Sequence, residues 1–189
     1  MYEYEWSMPN VTADIAVFTK DKEKEGALKL LLIKRGIDPF KGCYALPGGF
    51  CEEGETVDHA ASRELMEETG VEKPDFINQL RVFSEPGRDP RGWTITVTFI
   101  SMLSDVEGKV HAGDDAKEAK WFDFSFEETS ENVWHLELVN GDDKLTADYK
   151  SCKNGIETSF EVTDSQGLAF DHSHIVAYAG YKIKEILAK

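Results

Sequence analysis

The sequence predicts an α/β fold of the α+β kind, organised as a single domain over residues 1–189. Three observations carry this expectation. Short β-branched runs recur between turn segments. Two stretches repeat their apolar residues at helical rather than strand spacing. Late in the chain, alternating segments follow one another across tight turns, the pattern of an antiparallel β-meander. A chain of 189 residues can bury a sizeable core without disulfide or metal staples.

Taken in order, residues 11–19 (VTADIAVFT) read as a strand, DKEKEG at 21–26 as a charged turn, and KLLLIK at 29–34 as a buried strand. Residues 35–48 read as a loop, with turn residues from Asp38 to Gly42. Thr56 is the expected N-cap of a helix from Val57 to Thr69, and Gly70 stands where a helix prefers a left-handed residue. Residues 77–84 and 93–103 are predicted strands, separated by turn chemistry at 85–92 (EPGRDPRG). Residues 118–124 are a further strand. From about 128 to 167 the segments VWHLELVN, LTADYKSC and IETSFEV predict an inserted three-stranded meander, turning at GDDK and at Asn154-Gly155. The last element is a helix over 173–187, with Ile175, Ala179, Ile183 and Ile186 on one face and Asp171 or Ser173 as its cap.

The first helix carries the chemistry. Glu64, Glu67 and Glu68 fall at i, i+3 and i+4, so three carboxylates share one side and repel. A hard divalent cation with oxygen ligands resolves that conflict. Gly48 and Gly49, just before the helix, let backbone carbonyls approach the same ion. Magnesium fits such a site best, with manganese close behind. The metal ligands expected on this basis are Gly49, Glu64, Glu67 and Glu68.

With 21 basic and 36 acidic residues the net charge is −15, which argues against nucleic-acid partners and against an anionic membrane surface. A phosphate-bearing substrate meets a repulsive field unless it brings metal ions. Cys43, Cys51 and Cys152 show no zinc spacing and suit free thiols in a reducing cytoplasm. The first ten residues show no signal peptide, and no apolar run in the sequence approaches the ~20 residues needed to span a bilayer. His172 and His174 form an H-x-H pair beside a helix start, where packing or capping is the commoner use. Trp121 is expected in the core.

Residues 49–71 also fit, at every fixed position, the pattern G-x5-E-x7-R-E-U-x-E-E-x-G-U, where U is a bulky aliphatic residue. The fixed residues are Gly49, Glu55, Arg63, Glu64, Leu65, Glu67, Glu68, Gly70 and Val71. By this pattern the chain resembles the Nudix hydrolases. The resemblance implies a mixed sheet between helices and hydrolysis of a nucleoside diphosphate linked to another group. It implies that Arg63 braces the loop by pairing with Glu55. It also implies a general base, either a box glutamate (Glu67 or Glu68) or a carboxylate of the later loop: Asp114, Asp115 or Glu118.

Specificity lies outside the box. Pro86 stands fifteen residues beyond Val71, the placement that marks the ADP-ribose pyrophosphatase group. The segment Pro86-Gly87-Arg88-Asp89-Pro90-Arg91-Gly92 resembles one found in ADP-ribose hydrolases and in Nudix regulators of NAD metabolism. Arg88 and Arg91 are therefore candidates to grip a diphosphate by forked hydrogen bonds; the alternative is a rigid turn in which Asp89 pairs with an arginine. Phe40 and Trp93 are candidates to stack a base, against a packing role. The motif of the NADH-cleaving group is not seen. The reading is an ADP-ribose hydrolase acting on a nucleotide-sugar substrate. The alternatives are a non-catalytic ADP-ribose sensor, or a hydrolase of dinucleoside polyphosphates or nucleoside triphosphates. The resemblance also implies a homodimer, for which the aromatic N-terminal segment (Tyr2, Tyr4, Trp6) and the meander are candidate surfaces.

Overall fold

The structure is a computed structural model that describes residues 5–104 and 116–188; Tyr2, Tyr4, Asp114 and Asp115 lie outside the described residues. Strands β1 (Asn10–Lys20), β2 (Leu28–Arg35), β3 (Tyr44–Ala45) and β4 (Gly48–Phe50) precede helix α1 (Val57–Thr69). Strands β5 (Phe76–Phe83), β6 (Thr94–Met102), β7 (Ala116–Ser130), β8 (Val133–Asn140), β9 (Asp143–Asn154) and β10 (Glu157–Gln166) follow, and α2 (His172–Leu187) ends the fold. They form one mixed sheet in the order β10-β9-β8-β7-β2-β1-β6-β5, with β3 paired to β2 and β4 to β1. β1 and β6 run parallel, Ala13 opposite Val97.

Period-two alternation along β1 divides the core. Ala13, Ile15 and Val17 pack with Ala60, Ala61 and Leu65 of α1. Ala16 and Phe18 pack with Ile175, Ala179 and Ile183 of α2. Each helix thus buries one apolar face on one side of the sheet, and the sheet is buried on both faces along β1. α1 is closed as its sequence indicates: Thr56 Oγ1 accepts from the His59 N–H at 3.2 Å, and Gly70 takes φ 74°. Thr56→Ala is expected to cost about 1 kcal/mol by loss of this cap, read as a lowered urea midpoint with an unchanged slope.

The meander is an extension of the main sheet. β7 is one continuous strand whose first part pairs with β2 and whose last part pairs with β8. Phe122, Phe126, Leu136, Leu138, Tyr149 and Phe160 all face α2. Tyr149 Oη donates to the Ser173 carbonyl at 2.8 Å. The two edge strands close around the helix: Arg81 of β5 pairs with Glu157 of β10 at 3.3 Å and lies 4.6 Å from the Tyr178 ring centroid.

Three local expectations shift. β3 and β4 lie inside the segment read as a loop, because two or three residues are too few to show alternation. The last hairpin loop is Gly155-Ile156, and Asn154 pairs with Glu157 at the strand end. Asp171 occupies the N-cap of α2 without a side-chain cap bond, because its carboxylate is bound by Arg88. No helix among the described residues is long and apolar enough to cross a membrane.

Candidate functional site

The site grows from the contact of β4 with α1. Pairing with β1 places Gly49 opposite Ala13 and Gly48 opposite Asp14. A Cβ at Gly49 would stand 2.4 Å from Glu64 Oε1, so the carboxylate rests directly on glycine backbone. Glu68 Oε2 accepts from the Gly48 N–H at 2.8 Å. Burial pushes Glu68 up to about 8; the Gly48 N–H opposes this, and the nearby Glu64 and Asp14 charges add to it. Glu64 is also raised, first by burial, with Arg63 opposing.

Arg63 organises the other side of these carboxylates. It donates to Glu55 Oε1 at 2.7 Å, Glu64 Oε1 at 2.7 Å, Glu67 Oε2 at 3.0 Å and the Phe50 carbonyl at 3.0 Å. Glu55 also accepts from the Glu52 N–H at 2.7 Å. Its carboxyl is held down at about 2, chiefly by Arg63 and then by that backbone donor.

Two adjoining cavities border this surface. An outer cleft of 390 Å³ is edged by Glu64, Glu68, Arg63 and Cys51. An inner one of 50 Å³ is edged by Asp14, Arg88, Phe170 and His172. Arg35, Arg91, Gly48 and Gly49 border both. Arg91 makes a forked pair with Asp89, its shortest contact 2.8 Å. Its guanidinium lies 4.7 Å from the Phe50 ring centroid and 5.1 Å from that of Phe170. Arg35 donates to the Pro39 carbonyl at 2.8 Å and lies 4.7 Å from the Phe170 centroid.

Of the residues singled out by sequence, Gly49, Glu64, Glu68 and Arg91 come together at the cleft. Glu67 is half-exposed and tied to Arg63. Arg88 borders the inner cavity, but its side chain is only 5% exposed and is forked onto Asp171 at 2.7 and 2.8 Å, a structural brace. Pro86 is exposed on the turn and borders neither cavity. Phe40 packs on Phe170 at 4.7 Å and borders neither cavity. Glu118 pairs with Lys120 at 2.8 Å. Strand alternation puts Ala119 and Trp121 on the α1 side and Glu118 on the other, so Glu118 does not reach the box carboxylates. Asp115 lies outside the described residues.

Arg35, Asp14, Phe170 and His172 join the site without a sequence signal for it. Arg35 sat at the edge of an expected loop. Phe170 holds φ 52°, a backbone state that sequence does not show for a phenylalanine. His172 is buried, its Nδ1 accepting from the Leu46 N–H at 2.9 Å, and burial lowers its pKa. His174 instead bonds the Phe160 carbonyl at 2.7 Å, so the H-x-H spacing serves two separate packing roles.

Among the described residues no three acidic, histidine or cysteine side chains converge on one point. Glu64 and Glu67 turn to Arg63, and Glu68 to the Gly48 N–H. The donor set still suits a hard cation: two partly buried, mutually repelling carboxylates lie over a glycine backbone that a Cβ would obstruct.

Comparison with known proteins agrees with this geometry. The NUDIX domain family matches residues 8–149. An ADP-ribose pyrophosphatase of Methanocaldococcus jannaschii is 49% identical over 127 residues, covering 67% of this chain and 69% of that protein. A MutT/nudix family protein from Enterococcus faecalis superposes with TM-score 0.77 and 36% identity over 98% of this chain and 66% of its own. The NUDIX domain of Shewanella oneidensis NrtR, solved with ADP ribose, gives TM-score 0.57 and 31% identity over 65% of this chain and 78% of its own. The chain thus spans about two thirds of the length of the first two. Motif, sheet order and these likenesses agree, and the chain belongs to the NUDIX domain family.

Proposed function

We propose that this protein is a magnesium-dependent hydrolase that cuts the diphosphate of ADP-ribose, giving AMP and ribose 5-phosphate. The observation that carries it is one cleft of 390 Å³ bordered both by the partly buried Glu64 and Glu68 and by the cations Arg35 and Arg91. Its likeness to a pyrophosphatase at 49% identity supports the same substrate. Glu64, Glu67, Glu68 and a carbonyl of the Gly49 region would hold the magnesium, with manganese as a substitute. When bound, the ion neutralises the diphosphate and lowers the pKa of the attacking water. Arg91 and Arg35 add positive charge at both cavities in a chain of net −15. Arg63 holds Glu55, Glu64 and Glu67 on one side of the box, and Glu64 and Glu67 would turn from it to share one ion with Glu68. Water adds to one phosphorus as the bridging P–O bond breaks. Its proton passes to a carboxylate, either a box glutamate (Glu67 or Glu68) or one of Asp114 and Asp115. A panel of ADP-ribose, NADH, diadenosine polyphosphates, coenzyme A and nucleoside triphosphates tests the substrate. ADP-ribose is expected to show the highest kcat/KM by at least about tenfold; a higher value for any other member transfers the assignment to it.

A second reading, an ADP-ribose sensor that binds without cutting, is favoured by the Shewanella domain solved with ADP ribose. The complete set of box carboxylates weighs against it.

The same reading includes a homodimer in a reducing cytoplasm. Cys43, Cys51 and Cys152 carry no disulfide. Trp6 is 77% and Trp93 55% exposed, and the Asn10 N–H donates to the Trp93 carbonyl at 2.9 Å, so both tryptophans offer exposed apolar area that a partner could cover. Deleting residues 1–9 is expected to weaken dimerisation or raise KM. A monomer mass for the intact chain at micromolar concentration, with full activity after the deletion, rejects this.

A further inference from the structure

We infer that Phe170 is a positioning residue whose ring aligns Arg35 and Arg91 into a paired guanidinium clamp for the diphosphate of the substrate; this rests on the hydrolase reading above. Both guanidinium groups lie over the one ring, at 4.7 and 5.1 Å from its centroid. Both border the inner and the outer cavity. Two like charges brought to one ring repel each other, and each long side chain loses rotamer freedom when fixed. The negative face of the ring offsets part of the repulsion, and the flat guanidinium suits stacking where an ammonium does not. The clamp is anchored from behind. Phe40 packs on Phe170 at 4.7 Å, and Asp89 forks onto Arg91.

The backbone supports a purpose beyond packing. Phe170 adopts φ 52°, a state that a residue with a bulky side chain rarely enters. A core filler is ordinarily placed without that cost, and sparsely populated conformations of this kind gather at functional sites. Ala169 before it and His172 after it are buried, so the segment is fixed on both sides of the ring's attachment to the cavity wall.

The test measures both turnover of ADP-ribose and calorimetric binding of ADP, each with magnesium, for wild type, Phe170→Ala, Phe170→Tyr, Arg35→Ala and the Phe170→Ala/Arg35→Ala double variant. ADP carries the diphosphate without the second ribose, so its binding does not depend on which compound is cleaved. Phe170→Ala is expected to raise KM and the ADP Kd about tenfold, with kcat within about threefold of wild type. Phe170→Tyr is expected to restore both, because it keeps the ring. The double variant is expected to lose less ADP affinity than the product of the two single losses, because Phe170 acts partly through Arg35; what remains reports its hold on Arg91. A residue that only packs would lower the melting temperature and leave KM and Kd unchanged. Unchanged KM and Kd in Phe170→Ala, additive losses in the double variant, or no ADP binding by wild type overturns the inference. If wild type leaves ADP-ribose intact but ADP binding falls as described, the clamp stands and the substrate assignment fails.

Discussion

Glu68→Gln is expected to lower kcat on ADP-ribose by about a thousandfold, roughly 4 kcal/mol of barrier, while making the metal-free protein more stable at alkaline pH. The two effects have one cause. Glu68 is partly buried beside Glu64 and Asp14, and its carboxyl is pushed from the ordinary 4.5 up to about 8. An acid whose pKa is raised by folding holds its proton more tightly in the folded state. Its contribution is fully present below about pH 4.5, declines as the pH rises, and is lost once the pH passes about 8. Glutamine keeps an acceptor for the Gly48 N–H and has no charge to desolvate. In chelator at pH 8 the variant should be more stable by at least about 2 kcal/mol; near pH 4.5 the difference should vanish. Magnesium should stabilise wild type and not the variant, because only wild type keeps the full ligand charge. Near-normal turnover in the variant, or equal stability at pH 8 without metal, contradicts the assignment of Glu68.

The second large effect separates two neighbouring glycines. At Gly48 a Cβ would stand 2.2 Å from the Ala13 carbonyl, and φ is 154°. That contact is backbone on backbone within the β1–β4 pairing, so the sheet itself must shift. Gly48→Ala is expected to cost about 3 kcal/mol or more and to yield little folded protein. At Gly49 the clash is with the Glu64 carboxylate, at 2.4 Å, which is the movable end of a side chain. Gly49→Ala is expected to fold with a melting temperature within a few degrees of wild type and to lose at least about a hundredfold in kcat, about 2.7 kcal/mol. Circular dichroism melts and single-substrate kinetics on the two variants decide this. Full activity in Gly49→Ala would show that the carboxylate does not need to rest on that backbone.

The fold was legible where local chemistry and tertiary packing agree. α1 spans the residues its Thr56 cap and Gly70 stop indicate, because both ends are closed by their own neighbours. The long strands show because their alternation is driven by burial on α1 or α2. β3 and β4 did not show, since they exist through pairing with distant strands. The carboxylate side of the site was legible because Glu64, Glu67 and Glu68 are neighbours on one helix. The cation side was not. Arg88 and Arg91 sit three residues apart in one turn, yet Arg88 turns inward to Asp171 of a distant segment and Arg91 turns to the cleft. Arg35 and Phe170 meet only because β2 and the approach to α2 converge in space. Glu118 looked available in sequence, and strand register gave it to Lys120 on the face away from α1.

The most direct test of the account is to incubate the protein with ADP-ribose and magnesium and separate the products by chromatography. AMP and ribose 5-phosphate are expected in equal amounts, abolished by chelator and by Glu68→Gln. ADP-ribose that binds tightly and is recovered intact would contradict it and leave a sensor in its place.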